Sequence, residues 1–167
     1  MMKLLLTLLL FSPLLYAQPQ IELQPYGFDP VEIDLPAMNS EKFIELTKNW
    51  AMEYNRREGR YDITGVSSNT ITVSAFKRKA FFYRNLGETF EHKIRYKMDL
   101  TYNGSTYTLG FTVIDIYSND ELLQYKIPNY FNSNGKLKDG YGELKQSLET
   151  NVNNLIRSHY NFLVNFN

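Results

Sequence analysis

Two sets of residues in this sequence have types and spacings that could do chemistry. The first is a pair. Residues Phe90 to Leu100 and Tyr107 to Tyr117 read as the two arms of one β-hairpin. With Asn103-Gly104 as its two-residue turn, His92 faces Asp115 across the arms. A carboxylate beside an imidazole can orient it as a general base. A cross-strand polar pair where the core gives way to solvent accounts for the same residues. No nucleophile is marked beside them, so a small hydrolase-like enzyme using the His92/Asp115 region is the alternative reading.

The second set is basic. Lys93, Arg95 and Lys97 alternate along the first arm, and Lys77 and Lys79 join them if the preceding strand is adjacent. Such a platform suits an anionic partner: an acidic polysaccharide, a lipid headgroup or an acidic protein surface. A solvated face that resists aggregation explains it too, with Glu91 and Asp99 pairing with the lysines.

The remaining inventory is short. There is no Cys, hence no disulfide, thiolate nucleophile or thiolate ligand. His92 and His159 have no partner at ligand spacing, the glycines form no phosphate-binding loop, and no Gly-x-Ser-x-Gly elbow exists. The sequence therefore assigns no catalytic residue, metal or cofactor. Asn103-Gly104-Ser105 matches a glycosylation acceptor, but turn chemistry explains the same residues.

The hairpin positions both sets. Its first arm places Phe90, His92, Ile94, Tyr96, Met98 and Leu100 on one face and Glu91, Lys93, Arg95, Lys97 and Asp99 on the other. The Asn-Gly turn pairs Leu100 with Tyr107, Met98 with Leu109, Tyr96 with Phe111 and Ile94 with Val113. Each pair is apolar, and a one-residue slip would destroy them all.

Other elements flank this hairpin. Residues 18–38 carry four prolines and read as an extended lead-in, in which Val31 to Leu35 offers an edge strand. Asn39 or Ser40 caps a helix whose Phe43, Leu46, Thr47, Trp50 and Tyr54 share one face. Tyr61 to Val66 and Thr70 to Ala80 are strands. Alternation in the second breaks at Phe76, as at a β-bulge or the end of its core-facing part. Residues 80–88 read as aromatic and then loop-like, and Glu121 to Phe131 is a mixed apolar segment. A last helix aligns Tyr141, Leu144, Leu148, Val152, Leu155 and Ile156, with His159 or Tyr160 extending the row.

Helix, about four antiparallel strands, helix: this order predicts a two-layer α+β domain with both helices on one sheet face. The single domain spans 39–167, preceded by the lead-in 18–38. Residues 1–17 read as a signal peptide, with Lys3, a short apolar run and a small residue at Ala17. No Cys follows that run, which excludes a lipoprotein anchor. The expected location is periplasmic or extracellular.

Charge is uneven. Residues 18–55 carry 2 basic and 7 acidic groups, residues 56–97 carry 10 and 4, and residues 98–167 carry 5 and 7. Near-neutral overall charge argues against a nucleic-acid binder. Aromatic content is high, with 13 Tyr and 11 Phe, which favours a β-rich core and suits a binding surface.

Two runs carry a family resemblance. One is Met38-Asn39-Ser40-Glu41-Lys42-Phe43 leading to Trp50; the other is Ile94-Arg95-Tyr96-Lys97-Met98-Asp99-Leu100-Thr101-Tyr102-Asn103-Gly104 with Tyr107 after the turn. Together with the element order and the leader, the chain resembles a secreted bacterial domain-of-unknown-function family with a TATA-binding-protein-like fold, frequent in Bacteroidetes. The resemblance covers roughly residues 30–160. It implies a similar hairpin and transfers no catalytic residue. A fold likeness to a DNA-binding protein does not imply DNA binding.

The leading expectation is an exported non-enzymatic module that binds a partner or serves a structural role in the envelope or periplasm. Its partner would be an anionic envelope component or another protein. An assembly subunit using the edge strand Val31 to Leu35 is a third possibility.

Overall fold

The computed structural model describes residues 20–166. The expected signal peptide, residues 1–17, lies outside them. Three long strands form the centre: β5 (Thr70–Asn85), β6 (Glu88–Tyr102) and β7 (Thr106–Ser118). The short strands are β1 (Leu23–Gln24), β2 (Gly27–Phe28), β3 (Val31–Asp34), β4 (Tyr61–Thr64) and β8 (Glu121–Leu122). The helices are α1 (Ser40–Asn55) and α2 (Gly142–Asn165), and Ile127–Tyr130 makes one 3₁₀ turn. The main sheet is antiparallel in the order β3-β7-β6-β5-β4, with β8 also on β7, while β1 and β2 pair separately. The sheet thus has six strands where about four were expected, and strands precede the first helix. The two added strands are Val31–Asp34, the anticipated edge strand, and the two-residue β8 inside the mixed apolar segment, while the proline-rich lead-in hid the β1–β2 pair.

Both helices pack on one face of the sheet. Ile71, Val73 and Ala75 of β5, Ile94, Tyr96, Met98 and Leu100 of β6, and Tyr107, Leu109 and Phe111 of β7 are buried beneath them. From α1 come Phe43, Leu46 and Trp50, and from α2 Leu144, Leu148, Val152, Leu155 and Ile156, all buried. The helical spacing of these residues forms one apolar stripe per helix, and burying it drives the two-layer arrangement. Asn39 caps α1 as expected, its Oδ1 accepting from the Lys42 N–H at 2.8 Å.

The hairpin faces are as the alternation predicts, but the register differs by two residues. Leu100 pairs with Leu109, Met98 with Phe111 and Tyr96 with Val113. Asn103 N–H donates to Thr106 C=O at 2.9 Å, so the two-residue loop is Gly104-Ser105. Gly104 has φ +89 and Ser105 does not share the left-handed region. That is the pattern of a II′ turn, which needs positive φ only at its first central residue. A shift of two leaves every side chain from Tyr107 to Val113 on its face.

A second hairpin takes the place of the loop expected within residues 80–88. β5 runs to Asn85, which pairs with Glu88 across Leu86-Gly87, and both turn residues have positive φ (49 and 84). The expected bulge in β5 lies just past Phe76: Lys77 pairs with Ile94 and the next pair is Phe81 with His92. Residues 78–80 face Lys93 alone, a surplus of two.

The outer edge of β5 is covered in two ways. β4 pairs with residues Thr72 to Ala75. Beyond it, side chains stand in for a strand. Glu143, Ser147 and Asn151 lie four residues apart along one face of α2. Glu143 Oε2 accepts from Arg84 N–H at 3.1 Å and Ser147 Oγ from Phe82 N–H at 3.1 Å. Asn151 Nδ2 donates to the carbonyls of Lys79 and Ala80 at 3.3 and 3.0 Å. Glu58 Oε2 accepts from Arg78 N–H at 3.0 Å. These bonds satisfy backbone groups that a bare edge would offer to another chain.

Candidate binding site at the open end of the sheet

The expected pair of His92 and Asp115 is not formed. Tyr96 pairs with Val113 but Arg95 with Asp115, so β7 carries one extra residue, Ile114. One extra residue reverses which face the following side chains occupy. Ile116 therefore turns into the core while Asp115 and Tyr117 join the helix-free face. His92 stays on the helix side, paired with Phe81. Its ring lies 4.7 Å from that of Phe81 and 5.2 Å from that of Tyr83. Burial pulls its pKa down, opposed by the backbone of Tyr117, and no well-formed hydrogen bond reaches either ring nitrogen.

Asp115 instead anchors two cations. Its Oδ2 lies 2.6 Å from Arg95 Nη2 and its Oδ1 2.9 Å from Lys126 Nζ. The hydrogen bond from Lys126, then that from Arg95, holds its carboxyl below the usual range.

The five basic candidates divide. Lys93, Arg95 and Lys97 share the helix-free face. Lys77 keeps the parity of Val73 and Ala75, so it points to the helix side and pairs with Glu58 at 2.7 Å. Lys79 sits in the bulge with φ 47 and pairs with Glu91 at 3.1 Å. The platform of five is thus a row of three, because alternation along β5 assigns Lys77 to the opposite side. Lys93 pairs with Asp120, and Lys97 with Asp99 at 2.8 Å. Each of the five cations has a carboxylate partner. The more exposed of these pairs add little stability, but together the five cancel much of the local charge.

Where both strand registers break, the helix-free face is hollowed into a cleft of about 490 Å³. Phe76 and Tyr117 form its apolar wall, with ring centroids 5.8 Å apart. Lys93 Nζ lies 5.5 Å from the Phe76 centroid and 5.0 Å from that of Tyr117, within cation–π range. Asn119 and Asp120 (φ 49 and 67) turn β7 into β8 and deliver the Asp120 carboxylate to Lys93. That carboxyl is held below its usual range by the hydrogen bond and charge of Lys93, and further by the charge of Arg78. Arg60, just before β4, and Arg78, in the bulge, complete the rim.

Phe76, Arg78, Tyr117 and Asp120 were not singled out in the sequence. Their signals were present: the break at Phe76, the run Lys77-Arg78-Lys79 and the Asn119-Asp120 turn. Nothing local marks the extra residue in β7 that brings Tyr117 onto their side.

Among the described residues, no helix is long and apolar enough to cross a membrane, and no group of three or more His, Cys, Asp or Glu could hold a metal ion. No protein-family model matches the chain, and no curated protein does. Solved structures do match. One is a TBP-like protein from Parabacteroides distasonis, 16% identical, with a TM-score of 0.58 over 81% of this chain and 90% of that one. Another is a DUF4468 family protein from Bacteroides ovatus, 13% identical, with a TM-score of 0.48 over 80% of this chain and 86% of that one. The first likeness is one of fold, and the fold is the TATA-binding-protein-like one that the sequence resemblance implied.

Proposed function

We propose that this chain is an exported, non-enzymatic module of the cell envelope or periplasm that works by binding. The observation that carries this reading is the fate of the acid–base candidates. His92 and Asp115 lie on opposite sides of the sheet, and Asp115 is bonded to Arg95 and Lys126. The carboxylates lining the cleft, Glu58, Glu91 and Asp120, are likewise each tied to a lysine. A general base needs a free lone pair within reach of a substrate proton; the carboxylates have theirs engaged by cations, and His92, at the cleft's inner wall, is buried with no carboxylate beside it to orient it. What the helix-free face does offer is a rigid, charged and aromatic surface on three long strands, a platform for recognition.

The partner would be an anionic envelope component or another protein. Partners should be recovered from native envelope and culture medium with the tagged full chain, alongside a Lys93→Glu/Arg95→Glu variant. The expected result is a partner found outside the cytoplasm whose recovery falls with the variant and with added salt. A cytoplasmic location in cell fractionation, or turnover of a substrate by the purified chain, would overturn the reading.

A further inference from the structure

The cleft at the open end has a charge imbalance that its ion pairs do not remove. Glu58, Glu91 and Asp120 are each matched by a lysine: Lys77, Lys79 and Lys93. Arg60 and Arg78 line the same cleft and have no ion pair among the described residues. Two guanidinium groups therefore remain beside the Phe76–Tyr117 wall. A guanidinium presents a planar fork of donors that matches an oxyanion with two parallel hydrogen bonds. A concave wall focuses the field of such charges and concentrates an anion there.

We propose that this cleft binds a compact oxyanion, a phosphate, sulfate or carboxylate group either free or carried on a sugar, through Arg60 and Arg78. This deepens the binding-module reading and rests on it. The size fits: about 490 Å³ lies within the range of small-ligand sites and admits one sugar ring. The aromatic wall is set in place by Lys93, and ring faces suit the apolar side of a sugar. A larger groove of about 580 Å³ between α1 and α2 also holds two arginines, Arg56 and Arg57. Those follow the C-terminal end of α1, where the carbonyl dipoles favour cations and repel an anion. The arginines there have a structural reason; Arg60 and Arg78 have no helix end to serve.

The test is an amide NMR titration of the full chain with inorganic phosphate, glucose 6-phosphate and trigalacturonate, with glucose as the uncharged control. The wild type should show saturable shifts at Phe76, Lys93 and Tyr117 that weaken as salt rises. An Arg60→Gln/Arg78→Gln variant should bind about tenfold more weakly or worse while its amide spectrum stays folded. Arg78→Lys, which keeps the charge and loses the fork, should fall between. Tighter binding of the sugar-borne anions assigns a saccharide source, and equal binding assigns the free ion. Absence of shifts with every anionic probe, equal shifts with glucose, or wild-type affinity in the folded double variant would overturn the site. If the probes fail while partner capture still depends on Lys93 and Arg95, the site falls and the module stands. Turnover of a bound probe would instead remove the module reading and keep the site.

Discussion

The two ends of this sheet are built from the same three strands and behave as opposites. At the Gly104-Ser105 end, β5, β6 and β7 pair in unbroken register under both helices. A buried histidine there, His159, has both ring nitrogens engaged: Nε2 with Thr47 Oγ1 at 3.1 Å and Nδ1 with the Tyr107 hydroxyl at 3.3 Å. Trp50 meets it edge-on at 4.9 Å. At the other end both registers break, four non-glycine residues (Lys79, Leu86, Asn119 and Asp120) take left-handed conformations, and buried His92 lacks a well-formed bond. Regularity goes with the bonded buried histidine, and irregularity with the unbonded one and the cleft. Bulges concentrate where a surface is shaped for recognition, and left-handed backbone persists only where its surroundings hold it.

Acid should separate the two ends most strongly. Burial pushes His159 down to about 3 from 6.5. Between those values the unfolded chain binds the proton and the folded chain does not. Stability is therefore complete above about pH 6.5 and is lost as pH falls toward 3, by on the order of 5 kcal/mol from this group. Denaturant midpoints measured from pH 7 to pH 3 check this. His92, also shifted down, acts in the same direction, so His92→Phe should keep most of the acid loss. If that variant abolishes it, the ends have been ranked in the wrong order.

A smaller effect tests what holds the bulge. Asn151→Ala removes the donors to Lys79 and Ala80 carbonyls and should cost about 1–2 kcal/mol in urea unfolding. Leu86→Asn should move the other way. Leu86 is 98% exposed, so it loses little contact, and its φ of 49 suits Asn better. Asn-Gly is the favoured pair for this turn, and a gain of about 0.5–1 kcal/mol in melting or urea experiments is expected. Lys97→Ala should change stability by less than about 1 kcal/mol, because its partner Asp99 also accepts from Thr72 at 2.8 Å and both are half-exposed. A larger loss there would mean the charged face is structural.

Period-two and helical spacing are local properties, which is why the hairpin faces, the apolar faces of α1 and α2 and the Asn39 cap were legible in the residues. The II′ turn was misplaced by one residue because Asn103-Gly104 and Gly104-Ser105 are overlapping turn signals. Only the cross-strand bonds choose between them. Asp115 was misassigned because a bulge in β7 depends on what β6 and β8 present to it, not on its own sequence. The cleft is harder still, since Arg60, Phe76 and Tyr117 meet only when three strands are assembled.

The row Glu143, Ser147 and Asn151 has one more consequence. Amide hydrogens of Phe82 and Arg84 are held by side chains of α2 rather than by a neighbouring strand. They can exchange with solvent only when the helix lifts or the strand leaves it. These two amides should therefore report the opening of α2, exchanging together with its interior amides as one cooperative unit that joins a helix to a strand edge.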